Sequence, residues 1–258
     1  MLSFDFSQRV AVVTGGGNGI GRAIATCLGA QGARVHVLDI DLAAARQTAA
    51  ACDGIAVRCD VADAAAVRDC FAAIGRVDFL INNAGVVSGP GQPFTNNTED
   101  EWDRTFAINV KSIRHTAAAV SEQMRARRDG RIVNITSITG VIAAPFMPPY
   151  SVSKSAANGL TRVLARDFAP SGVTVNAICP GFVWSPLWED LGEVMAQSSG
   201  GAQGANAREV FQWRIDSLVP MKRAQSPEEI AATVAFFCSD GARNITGQVL
   251  SVDGGVTI

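Results

Sequence analysis

Tyrosine is all but missing from this chain: Tyr150 is the only one in 258 residues. Histidine is nearly as scarce. His36 and His115 stand in element-like stretches with no ligand-spaced partner, and structural roles are expected for both. The six cysteines (Cys27, Cys52, Cys59, Cys70, Cys179 and Cys238) contain no C-x-x-C pair. In a chain of this size that pattern argues against a disulfide framework and against a metal cluster, and reads as reduced core thiols. No metal is expected. Charged residues make up 18% of the chain with a formal net charge of -2, so no basic stripe exists to take nucleic acid as the main partner. The stretch from Ile132 to Ser153 carries no charge, but Pro, Gly, Asn and Ser interrupt it, so it does not read as a membrane helix. The opening MLSFDFSQRV lacks a basic start and an apolar run, so no signal peptide is read and a cytoplasmic protein is expected.

What is abundant is apolar: 48% of the residues are hydrophobic, enough for a sizeable core. One large α/β domain fits the length as well as two small ones. Short β-branched runs alternate with longer alanine-rich ones. The strands read are Arg9–Thr14, Arg34–Asp39, Ile55–Asp60, Val77–Asn82, Arg131–Ser137, Val173–Cys179 and Gln248–Asp253. Helical runs lie near 19–31, 41–51, 63–74, 99–127, 150–168 and 227–238. Strands this apolar are covered on both faces, as parallel strands are. The alternation predicts a single α/β domain with a doubly wound parallel sheet over residues 1–258.

Residues 185–220 break the alternation. SSGGAQGAN separates two helical stretches, PLWEDLGEVM and REVFQWRIDSL, and no strand pattern occurs. A long insertion at this point is either a functional lid or a tolerated excursion. Trp184, Trp188 and Trp213 favour a lid that packs over a site.

The first strand runs into TGGGNGIG, whose glycines at 15, 19 and 21 are spaced G-x-x-x-G-x-G. A turn without Cβ atoms lets backbone amides approach a pyrophosphate, and the next helix points its positive end at it. The second strand ends in Asp39, 24 residues beyond Gly15. An acid there accepts hydrogen bonds from ribose hydroxyls and repels a 2′-phosphate, which favours NAD over NADP. Asn18 and Ile40 offer no cation for that phosphate, while Arg22 is a weaker counter-indication. Taken alone, Asp39 also reads as a strand-end acid that caps the next helix. Asp60–Val61 and NNAG (Asn82–Gly85) add polar groups at two further strand ends, where ligands of open parallel sheets bind.

TGGGNGIG, NNAG, Asn109, Ser137, Tyr150-x-x-x-Lys154 and Pro180-Gly181 occur in that order. Together they resemble the single-domain short-chain dehydrogenases/reductases, and the resemblance runs from Val10 to the closing VDGG at Val252–Gly255. It implies a Rossmann-like domain with a seven-stranded parallel sheet and helices on both faces. It also implies a homotetramer or homodimer, paired through the helices near 99–127 and 150–168. The implied cofactor contacts are Gly15, Asn18, Gly19, Ile20, Gly21, Asp39, Asp60, Val61, Asn83, Ala84, Gly85, Tyr150, Lys154, Pro180, Gly181 and Val183. Ser185 stands where the family often has threonine and keeps a hydroxyl for the nicotinamide carboxamide.

Oxidising a secondary alcohol needs a hydride acceptor and a base for the hydroxyl proton. Free tyrosine, with a pKa of about 10, is a poor base near neutrality. A nearby ammonium and a positive nicotinamide ring both favour tyrosinate. Tyr150 and Lys154 are one helical turn apart and can face one cleft. Ser137 lies 13 residues before Tyr150 and, as the resemblance implies, holds the substrate oxygen beside the phenol. Asn109 fits the family's residue that holds a water chain to the lysine; without the other three it reads as a helix-surface amide. The segment Ile138–Pro149 between Ser137 and Tyr150 is almost wholly apolar and, with Thr139, Trp184, Trp188 and Phe94, predicts a pocket with a greasy wall. Against that wall, SPLWEDL and VPMKR resemble polyol, diol and hydroxyketone members of the family. Small secondary alcohols of that type rank first as substrates, and 3-oxoacyl reduction second. A catalytically idle NAD-binding sensor or scaffold is the rival class.

Overall fold

The computed structural model describes residues 4–197 and 205–258. Seven parallel strands form one sheet: β1 (Val10–Thr14), β2 (Arg34–Asp39), β3 (Ile55–Arg58), β4 (Phe79–Asn82), β5 (Arg131–Ile135), β6 (Thr174–Pro180) and β7 (Val249–Val252), in the order β3-β2-β1-β4-β5-β6-β7. The order reverses direction between β1 and β4, which opens a crevice beyond the carboxyl ends of those strands.

Nine helices flank the sheet among the described residues: α1 (Gly19–Ala30), α2 (Leu42–Ala51), α3 (Ala64–Ile74), α4 (Glu99–Phe106), α5 (Ser112–Arg127), α6 (Pro148–Phe168), α7 (Pro186–Gln197), α8 (Ala207–Leu218) and α9 (Pro227–Cys238). Their starts are written in the sequence. Asp41 and Asp63 cap α2 and α3, and capping boxes open α4 (Thr98 with Glu101), α8 (Asn206 with Glu209) and α9 (Ser226 with Glu229). Pro148 and Pro149 form the first turn of α6, where a missing amide costs nothing, so the helix begins two residues before the expected start.

Alternation along the strands feeds two cores. Val13, Val37, Ile81 and Val133 point to the side covered by α1, α2 and α9. Val12, Leu38, Leu80 and Ile132 point to the side covered by α3, α5 and α6. Strands β4, β5 and β6 are buried along their whole length, as strands covered on both faces must be.

The long helix expected over 99–127 is interrupted. Ala107–Lys111 form a π-helical turn that joins α4 to α5. The insertion holds the two expected helices, α7 and α8; of the expected flexible run, residues 198–204 lie outside the described residues. Among the described residues, no helix is long and apolar enough to cross a membrane.

The N-terminal ends of the strands carry a cluster of ion pairs. Asp78, with a fully buried side chain, lies 2.9 Å from Arg76, 3.7 Å from Arg9 and 3.8 Å from Arg127, and it accepts from the Val10 amide. Asp129 pairs with Arg9 and with Arg131, and Arg131 reaches Asp240 at 3.5 Å.

Candidate active site

The turn after β1 leaves no room for side chains. Gly15 and Gly19 have φ of +59° and +51°, which glycine adopts without strain. A Cβ on Gly21 would stand 2.1 Å from the Gly15 carbonyl oxygen, so only glycine lets α1 start this close to β1. Asn18 is the N-cap of α1, yet its side chain bonds no helix amide, and no acid occupies the first turn. The first amides and the positive end of α1 are therefore open to the cleft that Asn18, Gly19 and Ile20 line. Asn83 buttresses the turn: its Nδ2 donates to the carbonyls of Thr14 and Gly15 at 3.1 and 2.8 Å.

Asp39 stands on the same cleft at the end of β2. One carboxylate oxygen accepts from the Gly17 amide at 2.9 Å and the other from the Asp41 amide at 3.0 Å. Asp60, Val61, Ala84, Gly85, Pro180, Gly181, Val183 and Ser185 continue the wall. Open amides at a helix start and a carboxylate at the next strand end fit the pyrophosphate and ribose of a dinucleotide.

The other half of the cleft is built by β5 and α6. Ser137 follows β5; its Oγ accepts from the Thr139 amide at 3.2 Å and contacts the Thr139 hydroxyl at 3.1 Å. Tyr150 and Lys154 lie on the buried face of α6, 9% and 4% exposed. The Lys154 ammonium donates to the Ile135 carbonyl at 3.1 Å and stands 5.5 Å from the Tyr150 ring centroid. Burial pushes the Tyr150 phenol up to about 12, against the lowering effect of the Ser137 hydroxyl. Burial pulls Lys154 down to about 8. Gly85 makes room for the ammonium, since a Cβ there would meet Lys154 Nζ at 3.3 Å and Asn109 Oδ1 at 3.4 Å.

Asn109 is in the π-helical turn, and its side chain does not line the cleft. Its Oδ1 accepts from the Val86 amide at 2.9 Å, and its Nδ2 donates to the Val86 carbonyl at 3.0 Å and to Ser153 Oγ at 2.9 Å. The amide therefore fastens the loop after β4 to α6.

These groups open on one cavity of about 860 Å³. Beyond Tyr150 its wall is apolar, with Ile138, Ile142, Phe146 and Met147 from the segment before α6, Trp188 and Leu191 from α7, and Leu218 from α8. Thr139 adds a hydroxyl. Trp184 does not line the cavity: it lies between Arg208, whose guanidinium carbon is 4.4 Å from its ring centroid, and Phe211 at 5.1 Å. Phe94, 67% exposed, packs on Trp102, and Trp213 is 57% exposed. Of Phe94 and the tryptophans expected at the pocket, Trp188 alone reaches its wall, because helical spacing turns Trp213 outward and the short loop before α7 turns Trp184 behind Phe211.

A family profile described as Enoyl-(Acyl carrier protein) reductase matches residues 15–257, the span that holds every one of these groups. The chain belongs to the short-chain dehydrogenase/reductase family. An oxidoreductase of Thermotoga maritima is 36% identical over 98% of this chain and 99% of its own length. L-2,3-butanediol dehydrogenase of Corynebacterium glutamicum is 33% identical over 96% of this chain and 98% of its own. The crystal structure of an NAD⁺-bound xylitol dehydrogenase superposes with a TM-score of 0.89 at 35% identity, covering 97% of this chain and 99% of that one. The protein is thus an oxidoreductase of a family that uses NAD(P).

Two cationic wall residues of this short-chain dehydrogenase/reductase escaped the sequence reading. Arg104 on α4 and Arg214 on α8 both line the cavity. Nothing in the sequence marks Arg104. Arg214 had a signal: it recurs four residues after Val210, on the apolar stripe of its helix.

Proposed function

We propose that the protein is an NAD-dependent oxidoreductase that interconverts a small secondary alcohol and its ketone, with Tyr150 as the general acid/base. The observation that carries this is the opening of Ser137, Tyr150 and Lys154 onto the same cleft as the start of α1 and Asp39. When bound, a nicotinamide supplies the hydride acceptor and, oxidised, a positive ring beside the phenol. Ser137 holds the substrate oxygen, Tyr150 takes its proton in oxidation and returns it in reduction, and Lys154 favours the phenolate. Asn109 keeps the loop after β4 and α6 in register, and so keeps Gly85 against the ammonium.

NAD is favoured over NADP because a 2′-phosphate would meet the Asp39 carboxylate, with the apolar Ile40 beside it. Helices α7 and α8 act as a lid, since Trp188, Leu191 and Leu218 cover the apolar end of the cavity. That apolar lining suits compact alcohols and diols better than a sugar alcohol. A carrier-bound 3-oxoacyl substrate, the second reading, would need a basic entrance. The run Arg125, Arg127, Arg128 and Arg131 does not supply one: none of the four lines the cavity, and Arg125 and Arg131 are paired with Asp167 and Asp129. Pairing of two copies through α5 and α6 is supported by the exposed Val152 and Val163 on α6 and by open space at Gly159 between them.

The test is NADH appearance on a panel of diols, polyols, hydroxy acids and cyclic alcohols. Turnover of a member supports the reading. Tight NAD binding with no turnover on any of them favours an idle NAD-binding sensor.

A further inference from the structure

Among the cations of the cavity wall, Arg214 stands at the lid end, and among the described residues no acid holds it. Arg214 lies three and four residues after the buried Phe211 and Val210, on the face of α8 that covers the cavity. Its guanidinium carbon is 5.4 Å from the ring centroid of Phe146 and 5.4 Å from that of Trp213. Aromatic rings engage the flat faces of a guanidinium and leave its in-plane N–H groups to seek acceptors. The Arg214 Nε is buried and has no hydrogen-bond partner, and among the described residues Arg214 makes no ion pair. Burial disfavours its charged form. The acids that line the cavity, Asp39 and Asp60, stand at the β2–β3 end. The lid end therefore offers apolar surface, donors and positive charge, and nothing negative.

We propose that Arg214 anchors a carboxylate on the substrate, remote from the reacting carbon, so that the secondary alcohols taken by this site are hydroxy acids with a short apolar body. This rests on the hydride-transfer reading above, which makes the apolar end the substrate's place. A guanidinium also presents its two terminal N–H groups side by side, matched to the two oxygens of a carboxylate in the cavity, while the buried Nε stays behind them. The apolar wall strengthens that pair and raises the penalty for a neutral analogue, which leaves the charge buried and unpaired. A site of this kind rejects a ligand that lacks the matching group more strongly than a greasy pocket rejects a missing methylene.

The experiment is calorimetric titration of the full-length protein with 4-methylpentanoate and with 4-methylpentanamide, in the presence of saturating NADH and without it. The expected result is binding of the acid at least about 10-fold tighter than the amide, the least a lost charge-assisted pair should cost. Arg214→Met removes the difference, Arg214→Lys keeps part of it, and Arg208→Gln, on the same helix with its charge stacked on Trp184, leaves it unchanged. Equal affinity in the wild type, no binding of either compound, or a preference that survives in Arg214→Met overturns the inference. Melting curves accompany each variant; should Arg214→Met fail to fold, Arg214→Gln and the wild-type acid-to-amide ratio decide. The two readings fail separately. Oxidation of neutral alcohols without any acid preference keeps hydride transfer and rejects the anchor. An Arg214-dependent acid preference in binding, with no alcohol turned over, keeps the anchor's ligand class and rejects hydride transfer.

Discussion

The Lys154 ammonium stands 5.5 Å from the centre of the Tyr150 ring and donates to the Ile135 carbonyl at the end of β5. Strand and helix thereby fix the cation against the phenol without help from any carboxylate. In the protein by itself burial dominates both groups, with the phenol pushed up to about 12 and the ammonium down to about 8. Burial therefore keeps the proton on Tyr150 in spite of the ammonium beside it.

Tyr150→Phe removes the proton carrier and keeps the ring. Turnover should fall by about 10²–10⁴-fold, the usual worth of a positioned acid/base. NAD affinity, measured by quenching of tryptophan fluorescence, should stay nearly unchanged. Retained turnover would remove Tyr150 from the mechanism.

Alcohol oxidation needs the phenolate, and ketone reduction needs the phenol. Because burial raises the phenol, kcat/KM for oxidation should climb with pH through and above neutrality, while reduction stays level and falls only in the alkaline range. Initial rates in both directions across pH 6 to 10 check this. An oxidation rate independent of pH contradicts it.

Lys154→Met tests the buried ammonium through stability. An unfolded lysine keeps its proton to 10.5, and the folded one releases it near 8. Between those values the unfolded chain binds more protons, so folding stability rises with pH, and below about 8 the full cost of burying the charge is present. The wild type should gain on Lys154→Met, on the order of 3 kcal/mol, as pH rises from 8 to 10.5. Tyr150, raised by burial, acts oppositely above pH 10, so the comparison is read mainly between pH 8 and 10. Urea melts at four pH values measure it, and a gap that stays flat refutes the buried charge.

Asp39→Ala should weaken NAD and relax discrimination against NADP. Two effects combine: the ribose loses an acceptor, and the turn loses the carboxylate that takes the Gly17 amide at 2.9 Å. The affinity for NAD should drop by about 10-fold, worth one charge-assisted hydrogen bond. A wild type that already prefers NADP contradicts the assignment.

The sheet was legible because each strand is an apolar run of the right length between turn residues. β2 and α9 match the expected bounds residue for residue, and the site motifs sit at the ends of β1, β2, β4 and β5. What stayed hidden depends on three-dimensional register. The π-helical turn at Ala107–Lys111 has no sequence mark such as Pro or Gly, and it is the turn that carries Asn109 to its bonds with Val86. Helix α6 starts at Pro148, two residues before the expected 150, because proline is at home in a first turn. The tryptophans misled for a related reason: size drew attention to Trp184 and Trp213, whereas helix rotation decided that Trp188 and Arg214 reach the cavity.

The ion pairs at the foot of the sheet have a consequence for the chemistry at its head. Arg131 opens β5 at the foot and Ile135, which receives the Lys154 ammonium, closes it. At about 3.3 Å per residue the two are separated by roughly 13 Å. Over that distance an unmatched unit charge would still act on Lys154 by about 1 kcal/mol at an effective dielectric of about 20. Asp78, Asp129 and Asp240 answer Arg9, Arg76, Arg127 and Arg131 across a few ångströms, so three of the four positive charges are matched and a single unit is left to act at that distance. The four arginines that brace the strands thus reach Tyr150 and Lys154 as one charge and not as four, and the floor of the domain can exchange charged residues in balanced pairs without retuning the groups above it.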